Sequence, residues 1–406
     1  MKGLAGLRVV EVGTAASIPL AGVMLSNLGA QVIKVESAAR PDLNRIRPGR
    51  APDPPEQSVG DAFPMLHELN AGKLSVTLNL KTTGGQQVFR ELLAVSDVLI
   101  ENFAPGWLDR LGMSLADLAA EYPRLVIVAA SAYGESGPRS QQRAYAPIMT
   151  SLAGLEGLIG YTEDDVIGMV STAFSDSNSA YFALLAVLAA LKHREQSGYG
   201  GLVDLSQTEC AVAVVGIALA EYQLTGVAPS PHGNDHPFYE PRDTFACRDG
   251  QWISIAVESN EEWLALCGVM AEVAELADPR FSTHGARREA RDELAALISR
   301  WTATRDASDA AASLQRRGIA AAPVLEPESV AEVDPLQARG IVDSLVHDEF
   351  GAFRTTVKPP WRIGGWMPHA ASPAPVMGGQ TRHVLTQILG RSADDVDRLE
   401  DEGALA

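Results

Sequence analysis

The sequence predicts an α/β fold in which a doubly wound parallel sheet forms a large domain and a smaller α+β domain accompanies it. In the first 135 residues, short β-branched apolar segments alternate with helix-like segments, which is the pattern of βαβ units. The 406 residues suffice for two or three domains of ordinary size. With 46% hydrophobic and 21% charged residues, the composition is that of a globular protein with ample material for a core.

Turn and cap residues divide this first part into elements. Pro19 suits the first turn of a helix that runs to about residue 28, and Gly29 ends it. Residues 40–65, rich in Pro, Arg and Asp, are typical of a surface loop. The predicted strands are 7–12, 31–35, 74–80, 97–100 and 125–130, and further helices are predicted over 85–95 and 115–120.

The second half begins with two apolar stretches, 181–191 and 210–220, which lie in predicted helices. A helix needs about 20 apolar residues to span a membrane, so we expect buried core helices and no membrane partner. A linker rich in Pro, Gly and His follows over 226–241, and a strand over 252–257 and helices up to residue 316 come after it. These features predict the smaller α+β domain.

The charge is unevenly distributed along the chain. The net charge is −18, which argues against nucleic acid or an anionic membrane as the main partner. Residues 1–150 hold 14 basic and 14 acidic residues, and the first 50 alone hold 7 basic and 3 acidic residues. The amino-terminal segment is therefore a candidate site for a small anion, in a basic groove.

Several common site signatures are missing. The turn after the first strand, 13–17, reads G-T-A-A-S and lacks the glycines of a dinucleotide site, although Glu36 lies near the ribose-binding position. Residues 70–74 do not form a P-loop, and no G-x-S-x-G elbow or H-E-x-x-H motif occurs. Three cysteines without a C-x-x-C pair indicate neither a disulfide framework nor structural zinc. Since residues 1–10 do not resemble a signal peptide, we expect a cytoplasmic protein without a metal site.

Asp176 stands at or just before the start of the first long apolar helix. One interpretation is an N-cap, which stabilises a helix by about 0.5–2 kcal/mol. The other is a catalytic carboxylate that the helix amino terminus orients and keeps ionised for nucleophilic attack. Sequence spacing alone leaves both interpretations open.

A series of motifs runs in order along nearly the whole chain. The first is G-A-Q-V-I-K-V-E at 29–36, on the second predicted strand, followed by Asp42 and Arg45. The others are N-A-G-K-L-S-V-T-L-N-L-K at 70–81, E-N-F-A-P-G at 101–106 with R-L-G at 110–112, S-A-Y-G at 131–134, the G-Y-G to Asp204 stretch at 198–204, and G-N at 233–234 with R-D-G at 248–250. Together, in this order, they resemble the class III CoA-transferases, the family of formyl-CoA and carnitine CoA-transferases and of the α-methylacyl-CoA racemases.

The resemblance implies a Rossmann-like large domain made from both ends of the chain, and two chains interlocked as rings in a homodimer. It places the large domain at 1–205, a linker helix at 206–226, the small α+β domain at 227–330 and a return segment at 331–406. It also implies the reaction: CoA passes from an acyl-CoA, with succinyl-CoA as a common donor, to a carboxylic acid. No tightly bound cofactor or metal is needed for it.

By the same resemblance, Asp176 is the nucleophile that forms an aspartyl anhydride and then an aspartyl-CoA thioester. Lys34 and Glu36 are interpreted as structural, and Lys73 stays open. The positions that fall on the CoA site are Ala16, Ser17, Ala38, Asn102, Phe103, Arg110, Arg143 and Tyr145.

The chain departs from the family pattern at two places that bear on function. Tyr145 stands where the racemases carry a catalytic histidine, and a racemase needs acid and base residues on both faces of the α-carbon. This favours a CoA-transferase, with an acyl-CoA racemase or epimerase as the alternative. A non-catalytic subunit of a two-subunit transferase is a further alternative, which the presence of Asp176 disfavours. No run of glycines occurs over 227–330, which puts a glycine-loop lid in doubt.

Overall fold

The computed structural model describes residues 3–46, 64–162, 164–168, 174–348 and 351–406. The chain separates into two compact units. The first comprises Met1–Leu158, Gly168–Pro229 and Gly340–Ala406, and the second comprises Ile159–Ile167 and Ser230–Arg339. The domain boundaries expected from the sequence stay a prediction.

The helices and strands from the amino terminus to Thr225 occur in the following order. They are β1 (Arg8–Val12), α1 (Ser17–Asn27), β2 (Gln31–Glu36), α2 (Leu43–Ile46), α3 (Pro64–Asn70), β3 (Leu74–Thr77), α4 (Thr83–Ala94), β4 (Val98–Glu101), α5 (Leu115–Glu121), β5 (Val126–Ala129), α6 (Ala146–Leu152), β6 (Gly160–Thr162), β7 (Asp165–Val166), α7 (Phe174–Ser197), β8 (Gly201–Asp204), α8 (Gln207–Val212) and α9 (Gly216–Thr225).

The rest of the chain completes the second unit and returns to the first. Its elements are β9 (Arg242–Ala246), β10 (Trp252–Ala256), α10 (Asn260–Val269), α11 (His284–Glu289), α12 (Arg291–Thr302), α13 (Ala307–Gln315), β11 (Ala320–Val324), α14 (Asp334–Arg339), β12 (Asp343–His347), β13 (Gly351–Thr355), α15 (Thr381–His383) and α16 (Ala393–Asp401). The antiparallel β12–β13 hairpin was not predicted, because its strands alternate only weakly in hydrophobicity.

The predicted parallel sheet is confirmed. Its six strands run in the order β3-β2-β1-β4-β5-β8, and every neighbouring pair is parallel. Successive residues of β1 point to opposite faces, so Val9 joins the core under α1 and α7 while Val10 joins the core under α4 and α16. The chain order reverses between β1 and β4, and a crevice at the carboxyl ends of those strands is where such sheets bind ligands.

The second unit is built around a three-stranded antiparallel sheet in the order β11-β10-β9. Inward-facing Ile253 and Ile255 of β10 pack against Trp263, Leu294 and Trp301 from the surrounding helices. Alternate residues of β10 are exposed, as in a sheet with one buried face. The unit therefore has its own α+β core.

The expectation that both apolar stretches are buried core helices is confirmed only in part, since one face of α7 and the start of the second stretch, Cys210 and Ala211, are buried. In α7, Ala180, Ala183 and Val187 pack into the core of the first unit, but Leu185 on the opposite face is 62% exposed. In α9, no residue is buried, and Ile217 is 84% exposed. The sequence cannot distinguish burial within the chain from a face that another surface covers. By length and composition, α7 is also apolar enough to span a membrane, a property shared by core helices of soluble proteins.

The segment expected to be a surface loop over 40–65 is described only as far as Ile46 and from Pro64 onward. In the described part, Asp42, Asn44 and Arg45 are buried rather than exposed. Their polar groups are used inside the protein, since Arg45 pairs with Glu36 at 2.8 Å. The abundance of Pro, Arg and Asp over 40–65 therefore gave no indication that Arg45 forms a buried ion pair with Glu36.

Candidate active site

A cavity of about 820 Å³ lies in the first unit, at the carboxyl ends of β1 and β4. It is the crevice that the reversal of strand order creates. Ala38 is not among its lining residues and lies exposed in a turn after β2. The other predicted site residues all line it: Ala16, Ser17, Asn102, Phe103, Arg110, Arg143, Tyr145 and Asp176.

The turn between β1 and α1 forms one wall of the cavity and is held by the side chain of Asn102. The Asn102 Oδ1 accepts from the backbone N–H of Thr14 at 3.0 Å, and its Nδ2 donates to the Thr14 carbonyl at 2.9 Å. The same Nδ2 donates to the Ser17 hydroxyl at 3.0 Å. Asn102 thus lines the cavity, and its amide is occupied in shaping the wall.

Ala15 in this turn is left-handed, with φ of 62°, a conformation that favours glycine. Asp42 compensates for the strain, because its Oδ1 accepts from the N–H of Ala15 at 3.2 Å and from the N–H of Asn44 at 2.9 Å. Asn44 completes the clamp by donating from Nδ2 to the Ala15 carbonyl. Strained turns held from outside in this way are typical of functional sites.

A network of buried charges supports the clamp. Lys34 bridges Asp42 at 2.8 Å and Glu11 at 3.0 Å, and the second oxygen of Glu11 lies 2.7 Å from Lys73. Two lysines and two carboxylates therefore balance, as burial of charge requires. Gly22 of α1 leaves room for this pair, since a Cβ there would clash with the Glu11 carboxylate. The interpretation of Lys34 as structural agrees with these contacts, and Lys73 has the same role.

The pKa values of the two lysines diverge within this network. Burial alone would lower the pKa of Lys34, but the carboxylates of Asp42 and Glu11 outweigh it and raise that pKa above its usual range. Burial lowers the pKa of Lys73 to about 8, although Glu11 opposes the change. For Asp42, the charge of Lys34 overcomes burial and lowers the pKa, so the clamp carboxylate is ionised at neutral pH.

Among the described residues of the first 50, fewer cationic groups face the cavity than the charge count suggests. In the described part of that segment, Lys34 and Arg45 form buried ion pairs. Arg8 donates hydrogen bonds to Gln31 and to a backbone carbonyl. Arg40 alone lines the cavity. Together with Arg110 and Arg143, it gives three guanidinium groups against one carboxylate, Asp176, among the described lining residues.

An aromatic pair forms another part of the wall. Phe103 and Trp107 lie with ring centroids 4.9 Å apart, and the Arg40 guanidinium lies 5.4 Å from the Phe103 ring. Glu101 fixes both residues, because one of its oxygens accepts from the Phe103 N–H and from the Trp107 indole N–H. Burial raises the pKa of Glu101 to about 8. Arg40 and Trp107 line the cavity but were not among the predicted site residues, although Trp107 directly follows the E-N-F-A-P-G motif.

Asp176 is the third residue of α7, because the helix begins at Phe174 rather than near residue 177. It therefore lies within the first turn, and the N-cap interpretation is wrong. Both α7 and α1 present their amino-terminal residues to the cavity, and the partial positive charge of helix starts stabilises anions there. The neighbouring Ser175 is buried, and its hydroxyl donates to the Ala146 carbonyl at 3.3 Å, which ties the start of α7 to α6. Within the described residues, no group of three or more His, Cys, Asp or Glu side chains is placed to hold a metal ion.

Comparison with known proteins decides what kind of enzyme this cavity belongs to. The model of CoA-transferase family III matches residues 4–381. The chain belongs to CoA-transferase family III. This confirms the family resemblance and makes the protein a CoA-transferase.

Individual members of CoA-transferase family III match over most of this chain. The succinyl-CoA–D-citramalate CoA-transferase of Chloroflexus aurantiacus is 29% identical over 97% of this chain and 96% of its own length. A probable CoA-transferase of Mycobacterium tuberculosis is 31% identical over 98% of this chain, which spans only 50% of that protein. A crystal structure of a CAIB/BAIF family protein from Brucella suis covers 95% of this chain and 99% of its own, with a TM-score of 0.85 and 28% identity.

Proposed function

We propose that this protein transfers CoA from an acyl-CoA, with succinyl-CoA as the first donor to test, to a carboxylic acid through covalent intermediates on Asp176. One observation carries the proposal: Asp176 is the carboxylate among the described lining residues of a cavity that otherwise carries arginines and two helix starts. The name of the Chloroflexus relative supports a succinyl-CoA donor.

The proposed chemistry needs no redox step. A carboxylate oxygen of Asp176 attacks the thioester carbonyl and the C–S bond breaks, which gives a mixed anhydride and the CoA thiolate. The thiolate then attacks the aspartyl carbonyl, releases the first acid as its carboxylate and leaves an aspartyl-CoA thioester. The acceptor carboxylate attacks that thioester to form a second anhydride. The released thiolate attacks the acceptor's acyl carbon, which yields the new acyl-CoA and regenerates the Asp176 carboxylate.

The chain's own groups meet the demands of these steps. A carboxylate is a weak nucleophile and must be held against the thioester, and the first turn of α7, tied to α6 through Ser175, gives Asp176 a fixed position. Negative charge develops on the thioester oxygen and on the departing sulfur. The helix starts and the arginines of the cavity supply the positive potential that stabilises both charges.

The side chains of the cavity walls support a proposed placement for each part of CoA. The phosphates of CoA face Arg40, Arg110 and Arg143, since guanidinium groups bind phosphate through paired N–H donors. The Phe103 and Trp107 rings, which are tilted by 49° to each other, offer an apolar surface for an aromatic ring or for the pantetheine arm. CoA thioesters are then substrates, and no tightly bound cofactor takes part.

Arg143→Ala is expected to raise the KM for the acyl-CoA about tenfold or more, because a charge-assisted contact to phosphate is lost. The turnover number kcat stays close to the wild-type value, because the reacting carbonyl lies at Asp176. Initial-rate kinetics check this. Arg139→Ala is the matched control, since Arg139 is an exposed arginine four residues earlier that does not line the cavity. Equal KM values for the three proteins would contradict the placement of the phosphates.

An acyl-CoA racemase is the alternative that a direct assay must separate. The protein is incubated with succinyl-CoA and glutarate, and separately with a chiral 2-methylacyl-CoA in deuterium oxide. The transferase produces glutaryl-CoA and leaves the α-hydrogen of the second substrate in place. Deuterium incorporation without formation of a new thioester would establish the racemase, whose proton transfers need acid and base groups beyond Tyr145.

The exposed apolar faces of α7 and α9 support a homodimer. Leu185, Ile217 and Leu224 are 62%, 84% and 87% exposed, and the described chain leaves these faces uncovered. The family resemblance gives the occupant: a second copy of this chain, interlocked with the first. We also propose a cytoplasmic location, which cell fractionation tests.

Ile217→Glu is expected to convert the dimer to monomer, because it places a charge in the middle of the apolar interface. Light scattering coupled to size-exclusion chromatography measures the mass. Leu264→Glu is the control, since Leu264 is also strongly exposed but lies on α10 of the second unit. A wild-type protein that runs as a monomer, or an Ile217→Glu dimer of unchanged stability, would contradict the proposed interface.

A further inference from the structure

The turn between β1 and α1 gives the cavity wall its shape and is held in a conformation that its own residues disfavour. Thr14, Ala15, Ala16 and Ser17 all line the cavity, so a change in the turn changes the wall. Among the described residues, Ala15 is the one non-glycine residue with a positive φ. That conformation is unfavourable for alanine, because it brings the Cβ too close to a carbonyl oxygen. Contacts from outside the turn must therefore maintain it.

Asp42 and Asn44 hold both polar groups of the Ala15 main chain. The Asp42 Oδ1 accepts from the Ala15 N–H, and the Asn44 Nδ2 donates to the Ala15 carbonyl. The Thr14 hydroxyl is held from the same side, because it accepts from the N–H of Leu43 at 3.1 Å and donates to the Asp42 Oδ1 at 3.4 Å. The N–H and the carbonyl of Ala15 belong to successive peptide units, so a rotation to a negative φ cannot keep both bonds.

Asp42 is itself fixed before any substrate binds. Its Oδ2 pairs with Lys34 at 2.8 Å, and Lys34 also donates to the carbonyl of Gly13 at the start of the turn. Asp42 and Asn44 are buried, and neither is among the described residues that line the cavity. They reach a bound molecule only through the turn, so any effect on binding must pass through Ala15.

We propose that Asp42, together with Asn44, is a positioning residue for acyl-CoA: it holds Ala15 left-handed and thereby keeps Ala16 and Ser17 in the wall where CoA binds. The inference rests on the proposed CoA transfer and deepens it. A purely stabilising role would cost free energy of unfolding whatever residue stands at position 15. A positioning role depends on that residue, because glycine adopts the left-handed conformation without the penalty that alanine carries.

The test measures initial rates of Asp42→Ala with succinyl-CoA varied and glutarate saturating. The KM for succinyl-CoA is expected to rise about tenfold, since alanine without the clamp leaves the left-handed conformation. The kcat is expected to stay within about threefold of wild type, because Asp176 lies on α7 and not on the turn. Addition of Ala15→Gly to Asp42→Ala is expected to return KM to within about threefold of wild type.

Two controls separate this effect from a loss of stability. Asp343 also pairs with a lysine, Lys358, and accepts from a backbone N–H, that of Ala370, but it does not line the cavity. Asp343→Ala is therefore expected to leave KM unchanged, and thermal unfolding compares its stability with that of Asp42→Ala. Ala16→Gly in the Asp42→Ala background is not expected to restore KM, since Ala16 has φ of −123° and is not left-handed.

Asn44→Ala keeps the test decisive if Asp42→Ala does not fold. It removes the bond to the Ala15 carbonyl and leaves the ion pair of Asp42 with Lys34 in place. Its KM is expected to rise about fivefold and to be restored by Ala15→Gly. The proposal is overturned if the folded variant has a KM within twofold of wild type, or if Ala15→Gly leaves a raised KM unchanged. Failure of the proposed function looks different, because the wild type would then form no new acyl-CoA.

Discussion

Asp176→Asn is expected to reduce CoA transfer more than about a thousandfold, because the amide cannot form the anhydride that starts the reaction. The substitution changes one atom and removes one charge in the first turn of α7, so the fold and the cavity are preserved. Formation of the new acyl-CoA, followed by chromatography, measures the loss. Calorimetric binding of free CoA is expected to stay within a few-fold of wild type.

The matched control for this experiment is Asp394→Asn. Asp394 also lies in the first turn of a helix, α16, but it is exposed and does not line the cavity. Its substitution tests whether loss of an acidic residue near a helix start lowers activity by itself. Activity of Asp176→Asn within about tenfold of wild type would exclude Asp176 as the nucleophile.

Glu11→Gln is expected to lower the free energy of unfolding by about 3–5 kcal/mol, because it leaves two buried lysines with a single carboxylate between them. Both oxygens of Glu11 are used, one by Lys34 and the other by Lys73. The same Lys34 holds Asp42, which fixes the left-handed Ala15 in the cavity wall. Urea denaturation measures the loss, and activity is expected to fall with it.

The comparison that isolates burial is Glu121→Gln. Glu121 pairs with Arg90 near the surface, where water screens the charges, so its loss is expected to change the unfolding free energy by less than about 1 kcal/mol. Two variants with equal, small effects would show that the buried network does not support the fold as described.

The parallel sheet could be predicted because its central strands are buried and have short continuous apolar runs bounded by turn residues, whereas the edge strand β8 is largely exposed. Val98–Glu101 and Val126–Ala129 are buried along their whole length. Asn102 contacts the turn at Thr14 because β1 and β4 are neighbours in the sheet. That strand order was implied only by the family resemblance and not by the pattern of the strands.

Other features depend on contacts that sequence patterns do not encode. Asp42 and Arg45 looked like exposed loop residues, yet they are buried by pairing with Lys34 and Glu36. Ile217 looked like core, yet it faces outward, because apolarity does not identify the surface that covers it. Ala38 was placed on the CoA site by its position after β2, but the turn there carries Arg40 into the cavity wall instead.

The proposed covalent intermediate on Asp176 can be detected by chemical trapping. The protein is incubated with succinyl-CoA, treated with hydroxylamine or borohydride, digested and analysed by mass spectrometry. An aspartyl thioester predicts a hydroxamate, or the reduced alcohol, at Asp176 only when acyl-CoA is present. An active enzyme whose peptide containing Asp176 stays unmodified, or whose modification lies on another residue, would contradict the claim.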